Sequence, residues 1–130
     1  MSLYLGIDIG TTSIATVIIE KTDFSVKSSF SSPHNAYIKN ENGFAEQDVH
    51  IILSVLTKLI NKIPLNLIQN IKGIGVAGQM HGILLWNKKT KNASNLITWQ
   101  DQRATKQRII NQFQQKPNCS CLRDGFGITS

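Results

Sequence analysis

Residues 3–19 read Leu3-Tyr4-Leu5-Gly6-Ile7-Asp8-Ile9-Gly10-Thr11-Thr12-Ser13-Ile14-Ala15-Thr16-Val17-Ile18-Ile19. The apolar run at residues 3–7 and the isoleucine- and valine-rich run at residues 14–19 both favour β-strands. Between them, residues 10–13 have the small and polar side chains of a tight turn. We therefore predict a β-hairpin with a polar, glycine-containing loop at one end.

The next elements follow from local patterns. Residues 26–30 predict a third antiparallel strand, and the polar residues 31–47, with Pro33 and Gly43, predict an exposed connection. Asp48 is placed to cap a helix that Pro64 ends. The apolar stripe of that helix consists of Ile52, Val55, Leu56, Leu59, Ile60 and Ile63.

The second half of the chain alternates between apolar runs and polar turns. Residues 71–76 predict a buried strand and residues 83–86 a further strand. Residues 96–103 then lead into an expected helix that carries Ile109, Ile110 and Phe113. The order β-β-β-α-β, with a further strand and helix, resembles the ribonuclease H-like core shared by sugar kinases, actin, Hsp70-type chaperones and a group of nucleases. We expect an α/β fold with a mixed sheet flanked by helices, which does not by itself assign a reaction.

Length and composition indicate the class of protein. The 130 residues, 41% of them hydrophobic, predict one folded domain over residues 1–130. No apolar run approaches the roughly 20 residues that span a bilayer, and no secretory signal is visible. We expect a cytoplasmic protein without a membrane partner.

The charge of +6 is concentrated in residues 51–130, where eleven Lys or Arg residues accompany two acids. These basic residues are scattered and lack interleaved aromatic side chains, which favours a solvated surface and predicts no nucleic-acid partner. Cys119 and Cys121 are interpreted as reduced thiols, because the three histidines lie far apart and complete no zinc-site spacing.

Asp8 and the turn after it are the first candidate site. A carboxylate at the end of a buried strand is costly without a positive partner, and successive N–H groups in a Gly10-Thr11-Thr12-Ser13 turn can form a nest for an anion. This chemistry predicts a phosphate site with Asp8 as a metal-positioning acid. The alternative is a polar hairpin whose threonine hydroxyls bond their own turn.

Gly73-Ile74-Gly75-Val76-Ala77-Gly78 matches the dinucleotide pattern G-x-G-x-x-G. That motif follows a strand and opens a helix, whereas here it lies inside an apolar run followed by another strand-like segment. We interpret these glycines as permitting close backbone packing and a sharp exit toward residue 79.

Gln79, Met80 and His81 are a second candidate site, at the end of a predicted strand, where open α/β sheets bind ligands. An amide, a thioether and an imidazole suit a polyhydroxylated carbon chain, although a lone histidine is as often structural.

Trp99, Asp101 and Arg103 are a third candidate. An acid beside an aromatic face can bind sugar hydroxyls, with Arg103 orienting the acid. The structural alternative is a helix N-terminus, with Asp101 near the cap and Trp99 packing beside it.

Four motifs in order resemble the FGGY family of carbohydrate kinases, which includes glycerol, xylulose and sedoheptulose kinases. They are Gly6-Ile7-Asp8-Ile9-Gly10-Thr11-Thr12-Ser13, Ala45-Glu46-Gln47-Asp48, Gly78-Gln79-Met80-His81-Gly82 and Thr98-Trp99-Gln100-Asp101-Gln102-Arg103. Residues 80–86 and 98–101, with Gly125-Phe126-Gly127, are most similar to sedoheptulose kinases, and xylulose kinases come next. The resemblance implies ATP and Mg²⁺ as cofactors, phosphorylation of a sedoheptulose-like ketose, Asp8 as the catalytic and metal-binding acid, and residues 10–13 on the phosphates. It implies the sugar substrate at Gln79, Met80, His81, Trp99, Asp101 and Arg103.

Two features depart from the family pattern. Ile14, Ala15 and Thr16 supply no cation after the threonine pair, where many members carry one. The family's catalytic base and adenosine site belong to a second, C-terminal lobe, which these residues do not include. We therefore expect residues 1–130 to be an incomplete kinase domain that is inactive in isolation.

Two other interpretations remain open. A nuclease of the Holliday-junction-resolvase type shares the core and a similar first turn, but its two-metal chemistry needs several carboxylates, and residues 77–81 contain no acid. The other is a truncated, non-catalytic sugar-kinase fragment.

Overall fold

The structure is a computed structural model that describes residues 2–39 and 43–104, together with Asn111. Its strands and helices follow the chain in this order: β1 Leu3–Ile9, β2 Ser13–Glu20, β3 Val26–Pro33, β4 Tyr37–Ile38, β5 Glu46–Gln47, α1 Val49–Asn61, α2 Leu65–Ile68, β6 Ile71–Gly78 and β7 Leu96–Ile97. The predicted hairpin and third strand are confirmed. The expected helix with Ile109, Ile110 and Phe113, the cysteines at 119 and 121 and the Gly125-Phe126-Gly127 segment lie outside the described residues.

The main sheet has four strands in the order β3-β2-β1-β6. β1 pairs antiparallel with β2 and parallel with β6, so the sheet is mixed. Alternation decides which face is buried: in β2, Ile14, Thr16 and Ile18 are buried, while the residues between them are partly exposed. The predicted α/β architecture with a mixed sheet is confirmed.

Helix α1 begins where the sequence predicts. The Asp48 carboxylate accepts hydrogen bonds from the backbone N–H groups of His50 and Ile51, which caps the first turn. Ile52 and Leu59 pack with Ile14 and Ala36 in one part of the core. Ile63, just after the helix, packs with Leu3, Leu5, Ile7 and Ile18 in another part. The helix and Ile63 after it thereby cover the buried face of the first three strands.

The polar residues 31–47 predicted an exposed connection between β3 and α1, but the structure shows this segment to be partly buried and partly in strands. Its first residues extend β3 to Pro33, and β4 and β5 join β7 in a second sheet of order β4-β5-β7. His34, Ala36 and Gln47 are buried. Two-residue strands are too short to produce an alternating pattern, so β4 and β5 could not be predicted from this polar segment.

The prediction that residues 71–76 are a buried strand is half wrong. The strand exists, but Ile74 and Val76 are 63% and 67% exposed. They share a face with Leu5 and Ile7, their partners in β1, but α1 lies over β2 and β3. Among the described residues, β6 is therefore an edge strand whose Ile74 and Val76 side chains no helix covers.

The strand predicted at residues 83–86 is also wrong. Isolated bridges join Ile83 to Ile97 and Trp86 to Ala93, and no continuous ladder forms. An apolar run favours a strand only where a partner pairs with all of it, and here the partner β7 has two residues. In the described ranges, no helix has the length and apolar character needed to cross a membrane.

Candidate functional site

The turn between β1 and β2 is held by its carbonyl groups. The Gly10 N–H donates to the Ser13 carbonyl over 2.9 Å, which closes the turn. The Gly10 carbonyl lies 3.3 Å from Nε2 of His34, the Thr11 carbonyl accepts from the Gln47 amide at 2.8 Å, and the Thr12 carbonyl accepts from the His34 N–H at 3.2 Å. Three consecutive carbonyls are thus bonded to the protein scaffold.

This arrangement leaves the N–H groups of the turn available to a ligand. In a trans peptide the N–H points away from the preceding C=O, and the described chain has no cis bond. The Thr11 and Thr12 N–H groups therefore face away from His34 and Gln47, and neither donates a backbone hydrogen bond within the described part of the chain. Adjacent free N–H groups can form a concave site for an anion, so this geometry is compatible with the predicted phosphate site.

His34 was not predicted to belong to this site. It is buried, and its Nδ1 accepts from the Ala36 N–H at 3.1 Å. Since Nδ1 is an acceptor, the neutral ring carries its proton on Nε2 and donates it to the Gly10 carbonyl. A single histidine in a polar stretch gives no sequence signal for this role, because both partners are backbone groups.

Asp8 lies on the other face of the sheet from the core. Its strand neighbours are Ala15 and Ala77, and its side chain is exposed. The burial that first suggested a metal partner is therefore absent among the described residues. Within the described chain, no hydrogen bond or ion pair engages the carboxylate, and its exposure makes it accessible immediately before the turn.

The loop after β6 is tied to the turn through Gln79. The Gln79 N–H donates to the Ile9 carbonyl at 2.9 Å, and its side-chain Nε2 donates to Oε1 of Gln47 at 2.9 Å. Its own Oε1 is buried without a hydrogen-bond partner in the described chain. This oxygen is an acceptor that lacks a donor.

Met80 and His81 continue the loop with exposed side chains. His81 has φ 58°, the left-handed conformation that a non-glycine residue adopts at a cost. Gly82 packs closely against the side chain of Leu96, and a Cβ at residue 82 would lie 3.0 Å from Cδ1 of Leu96. The backbone therefore presents Met80 and His81 to solvent in a constrained bend.

Trp99, which belongs to the third predicted site, contacts the turn between β1 and β2. Its indole Nε1 donates to the Thr11 hydroxyl at 3.3 Å, while the ring remains exposed. An exposed indole with its N–H engaged offers an apolar face beside the turn.

Asp101 and Arg103 form a clamp with Glu46. Both carboxylate oxygens of Asp101 accept from Nε of Arg103, at 2.9 and 3.0 Å, and Oδ2 also accepts from the Ala45 N–H at 2.9 Å. Arg103 pairs with Glu46 at 2.7 Å and stacks on the Phe44 ring at 4.2 Å. Hydrogen bonding from Arg103 holds the pKa of Asp101 well below its usual value.

The clamp bears on both interpretations of this segment. Arg103 does orient Asp101, and the Arg103 N–H also donates to Asp101 at 2.9 Å, as in a capping turn. The protein engages both Asp101 oxygens, so a sugar hydroxyl would share them. From the sequence, Glu46 was noted only as part of the Ala45-Glu46-Gln47-Asp48 motif, and its ion pair with Arg103 was not predicted.

Neither the structural context of a dinucleotide site nor a metal cage forms in the described part of the chain. Residues 73–78 lie entirely within β6, and no helix follows among residues 79–104, so the dinucleotide motif lacks its structural context. No group of three His, Cys, Asp or Glu side chains forms a metal cage in the described ranges. A single free carboxylate such as Asp8 fits Mg²⁺ only in the pattern that phosphate oxygens and water complete.

Comparisons with a family model and with curated proteins all identify carbohydrate kinases. The model for the FGGY family of carbohydrate kinases, N-terminal domain, matches residues 3–129. Mouse sedoheptulokinase is 35% identical across 97% of this chain and 31% of its own length. The Bacillus subtilis xylulose kinase is 29% identical across 98% of this chain and 23% of its own. The chain spans less than a third of the length of these curated relatives.

Solved structures share the fold. The ligand-bound xylulose kinase from Lactobacillus acidophilus superposes with a TM-score of 0.67 at 25% identity, covering 88% of this chain and 23% of that one. Plasmodium falciparum glycerol kinase with ADP gives a TM-score of 0.71 at 23% identity, covering 91% and 24%. The predicted fold class is confirmed.

Proposed function

Because this chain belongs to the FGGY family of carbohydrate kinases, we propose that it forms part of an enzyme that transfers the γ-phosphoryl group of ATP to a hydroxyl of a ketose. Sedoheptulose is the first sugar to test, and xylulose the second, in the order of the similarities above. The resemblance seen in the motifs is confirmed at the level of the family. The nuclease alternative is not favoured.

One observation supports the proposal most. Three segments far apart in sequence meet at the turn: Thr11 accepts hydrogen bonds from Gln47 and Trp99, and Gln47 in turn accepts one from Gln79. A candidate phosphate-binding turn in contact with amide and indole groups is an arrangement suited to a phosphate donor and a polyhydroxylated acceptor.

The phosphate side of the proposed site consists of Gly10, Thr11, Thr12, Ser13 and Asp8. The free N–H groups of Thr11 and Thr12 would bind phosphoryl oxygens of ATP, with the threonine and serine hydroxyls as further donors. Asp8 would hold Mg²⁺, which shields the negative charge of the phosphates during transfer. Residues 14–16 add no cation.

The sugar side consists of Gln79, Met80, His81, Trp99, Asp101 and Arg103. The exposed Trp99 and Met80 side chains would pack on the carbon chain, and the buried Gln79 Oε1 would accept a hydrogen bond from a hydroxyl. We assign Asp101 a hydroxyl contact through its remaining lone pairs and Arg103 the task of fixing Asp101.

The remaining parts of the reaction are proposed to come from polypeptide outside these residues. A base that takes the proton of the sugar hydroxyl and the adenosine site are assigned to a C-terminal lobe, and closure of two lobes would exclude water. A cytoplasmic location fits an enzyme that consumes ATP.

The experiment uses the complete gene product. ADP release is measured with ATP, Mg²⁺ and a panel of ketoses, and Asp8→Asn is compared with Asp23→Asn, a control at an exposed turn. We expect turnover with one or more ketoses, a loss of at least 100-fold with Asp8→Asn, and no change with Asp23→Asn.

Three outcomes would contradict the proposal. Full activity of Asp8→Asn would remove the magnesium role. Sugar binding without turnover would favour the non-catalytic fragment. Metal-dependent cleavage of a branched DNA, without sugar phosphorylation, would restore the nuclease.

A further inference from the structure

Gln47 connects the phosphate side of the site to the sugar side. Its side chain is fully buried, with 0% exposure. The amide Nε2 donates to the Thr11 carbonyl at 2.8 Å, and Oε1 accepts from the Gln79 amide at 2.9 Å. One side chain thus spans the turn after β1 and the loop after β6.

The direction of this hydrogen-bond chain is fixed at its Thr11 end. A backbone carbonyl can only accept, so the Gln47 group that faces it must be the NH₂. The Gln47 carbonyl oxygen is then the group that faces Gln79, and Gln79 must in turn donate with its own NH₂. Gln79 Oε1 is left as the end of the chain, buried and without a partner in the described structure. Neither amide can rotate by 180° without placing two like groups against each other.

From this geometry we propose that Gln47 is a positioning residue that fixes Gln79 as a hydrogen-bond acceptor for a substrate hydroxyl and couples that contact to the phosphate turn. The inference rests on the proposed function and adds to it a positioning role for Gln47, which fixes the acceptor polarity of Gln79 and couples it to the turn. Substrates that offer an O–H or N–H at this position would be accepted. Substrates that offer only an acceptor would face the Gln79 oxygen and be rejected.

The same contacts would couple sugar binding at Gln79 to the order of the turn at residues 10–13. When a hydroxyl donates to Gln79 Oε1, the Gln79 amide is held in place, and with it Gln47 and the Thr11 carbonyl. The Thr12 N–H shares its peptide unit with that carbonyl, so ordering the carbonyl also orders one of the free donors of the turn. Sugar binding would therefore order the turn before ATP arrives.

The test measures amide hydrogen exchange and kinetics of the complete gene product with sedoheptulose and xylulose. The variants are Gln47→Met, which keeps the shape and removes both bonds, and Gln79→Met, at a half-buried position with less risk to folding. Gln69→Met, exposed at the end of α2, is the matched control.

In the wild type we expect the ketose alone to slow exchange at residues 79–82 and at residues 10–13. In Gln47→Met the ketose should slow exchange only at residues 79–82, and kcat/KM for the ketose should fall about tenfold. Gln79→Met should give a similar loss, and the double variant should lose little more than either single variant. Gln69→Met should behave as the wild type.

The outcomes separate the inference from the proposed function. If both segments still respond in Gln47→Met, or if the losses in the double variant multiply, the positioning role is overturned while the kinase assignment stands. If the wild type neither responds to a ketose nor phosphorylates one, the proposed function is overturned, and the inference with it. If Gln47→Met does not fold, Gln79→Met alone decides: an unchanged response at residues 10–13 contradicts the coupling.

Discussion

The indole N–H of Trp99 donates to the hydroxyl oxygen of Thr11 at 3.3 Å, across a sequence separation of 88 residues. The bond brings an exposed aromatic ring to the edge of the turn at residues 10–13 and engages a hydroxyl that belongs to that turn. The proposed sugar-binding and phosphate-binding groups are therefore in direct contact.

Trp99→Phe should separate the two roles of the indole. The phenyl ring keeps an apolar face but cannot donate to Thr11, so we expect KM for ATP to rise about fivefold, as for one hydrogen bond of about 1 kcal/mol. Trp99→Ala should in addition raise KM for the ketose about tenfold. Steady-state kinetics test both variants, with the exposed Trp86→Phe as control. Identical effects of Phe and Ala at residue 99 would argue against a stacking role.

Gly10→Ala should impair phosphate binding. A Cβ at this position would lie 3.0 Å from the Ser13 carbonyl, which closes the turn, so the turn must open to accept it. We expect KM for ATP to rise at least tenfold. Gly75→Ala is the control, because a Cβ there meets no atom within 4 Å. Equal effects of the two substitutions on ATP kinetics would contradict the assignment of the turn.

His81→Gly should raise stability while weakening sugar binding. With φ at 58°, His81 occupies a conformation that costs about 1 kcal/mol for a residue with a side chain and little for glycine. We expect a higher unfolding midpoint together with a higher KM for the ketose. Lys91→Gly, which has the same φ, should raise the midpoint without changing KM. Unchanged ketose kinetics in His81→Gly would remove His81 from the proposed site.

Asp101 should make the protein less stable in acid. Hydrogen bonding from Arg103 holds the folded-state pKa of Asp101 well below the ordinary value of 3.8, so the unfolded chain takes up the proton first. The stabilisation is complete above about pH 4 and is lost progressively as the pH falls below it.

Urea unfolding between pH 2.5 and 7 measures this effect. Asp101→Asn should lower stability at pH 7 and flatten the decline in acid. The control is Asp23→Asn, since the pKa of the exposed Asp23 is also lowered, chiefly by the Ser25 backbone N–H. It should change the profile less, because solvent screens that interaction. An unchanged acid decline in Asp101→Asn would show that other carboxylates cause it.

Much of the fold could be predicted because its signals are local. The hairpin of β1 and β2 follows from two apolar runs and a turn, and the start of α1 follows from one capping carboxylate, Asp48. Exposure of β6 could not be predicted, because an apolar run reports the preference of its side chains and not the elements that cover them. The same limit explains residues 83–86, whose partner β7 is too short to pair with them.

The candidate site shows the same difference between local sequence signals and long-range contacts. Candidate residues for phosphate and sugar binding could be predicted from the sequence, since turn chemistry and motif spacing belong to short segments. The three-dimensional fold was needed to bring residues 10–13, 79–81 and 99–103 together. It also leaves Asp8 exposed and places His34 and Gln47 where they hold the turn. Those contacts join atoms far apart in the chain, and buried polar groups must find partners wherever the fold places them.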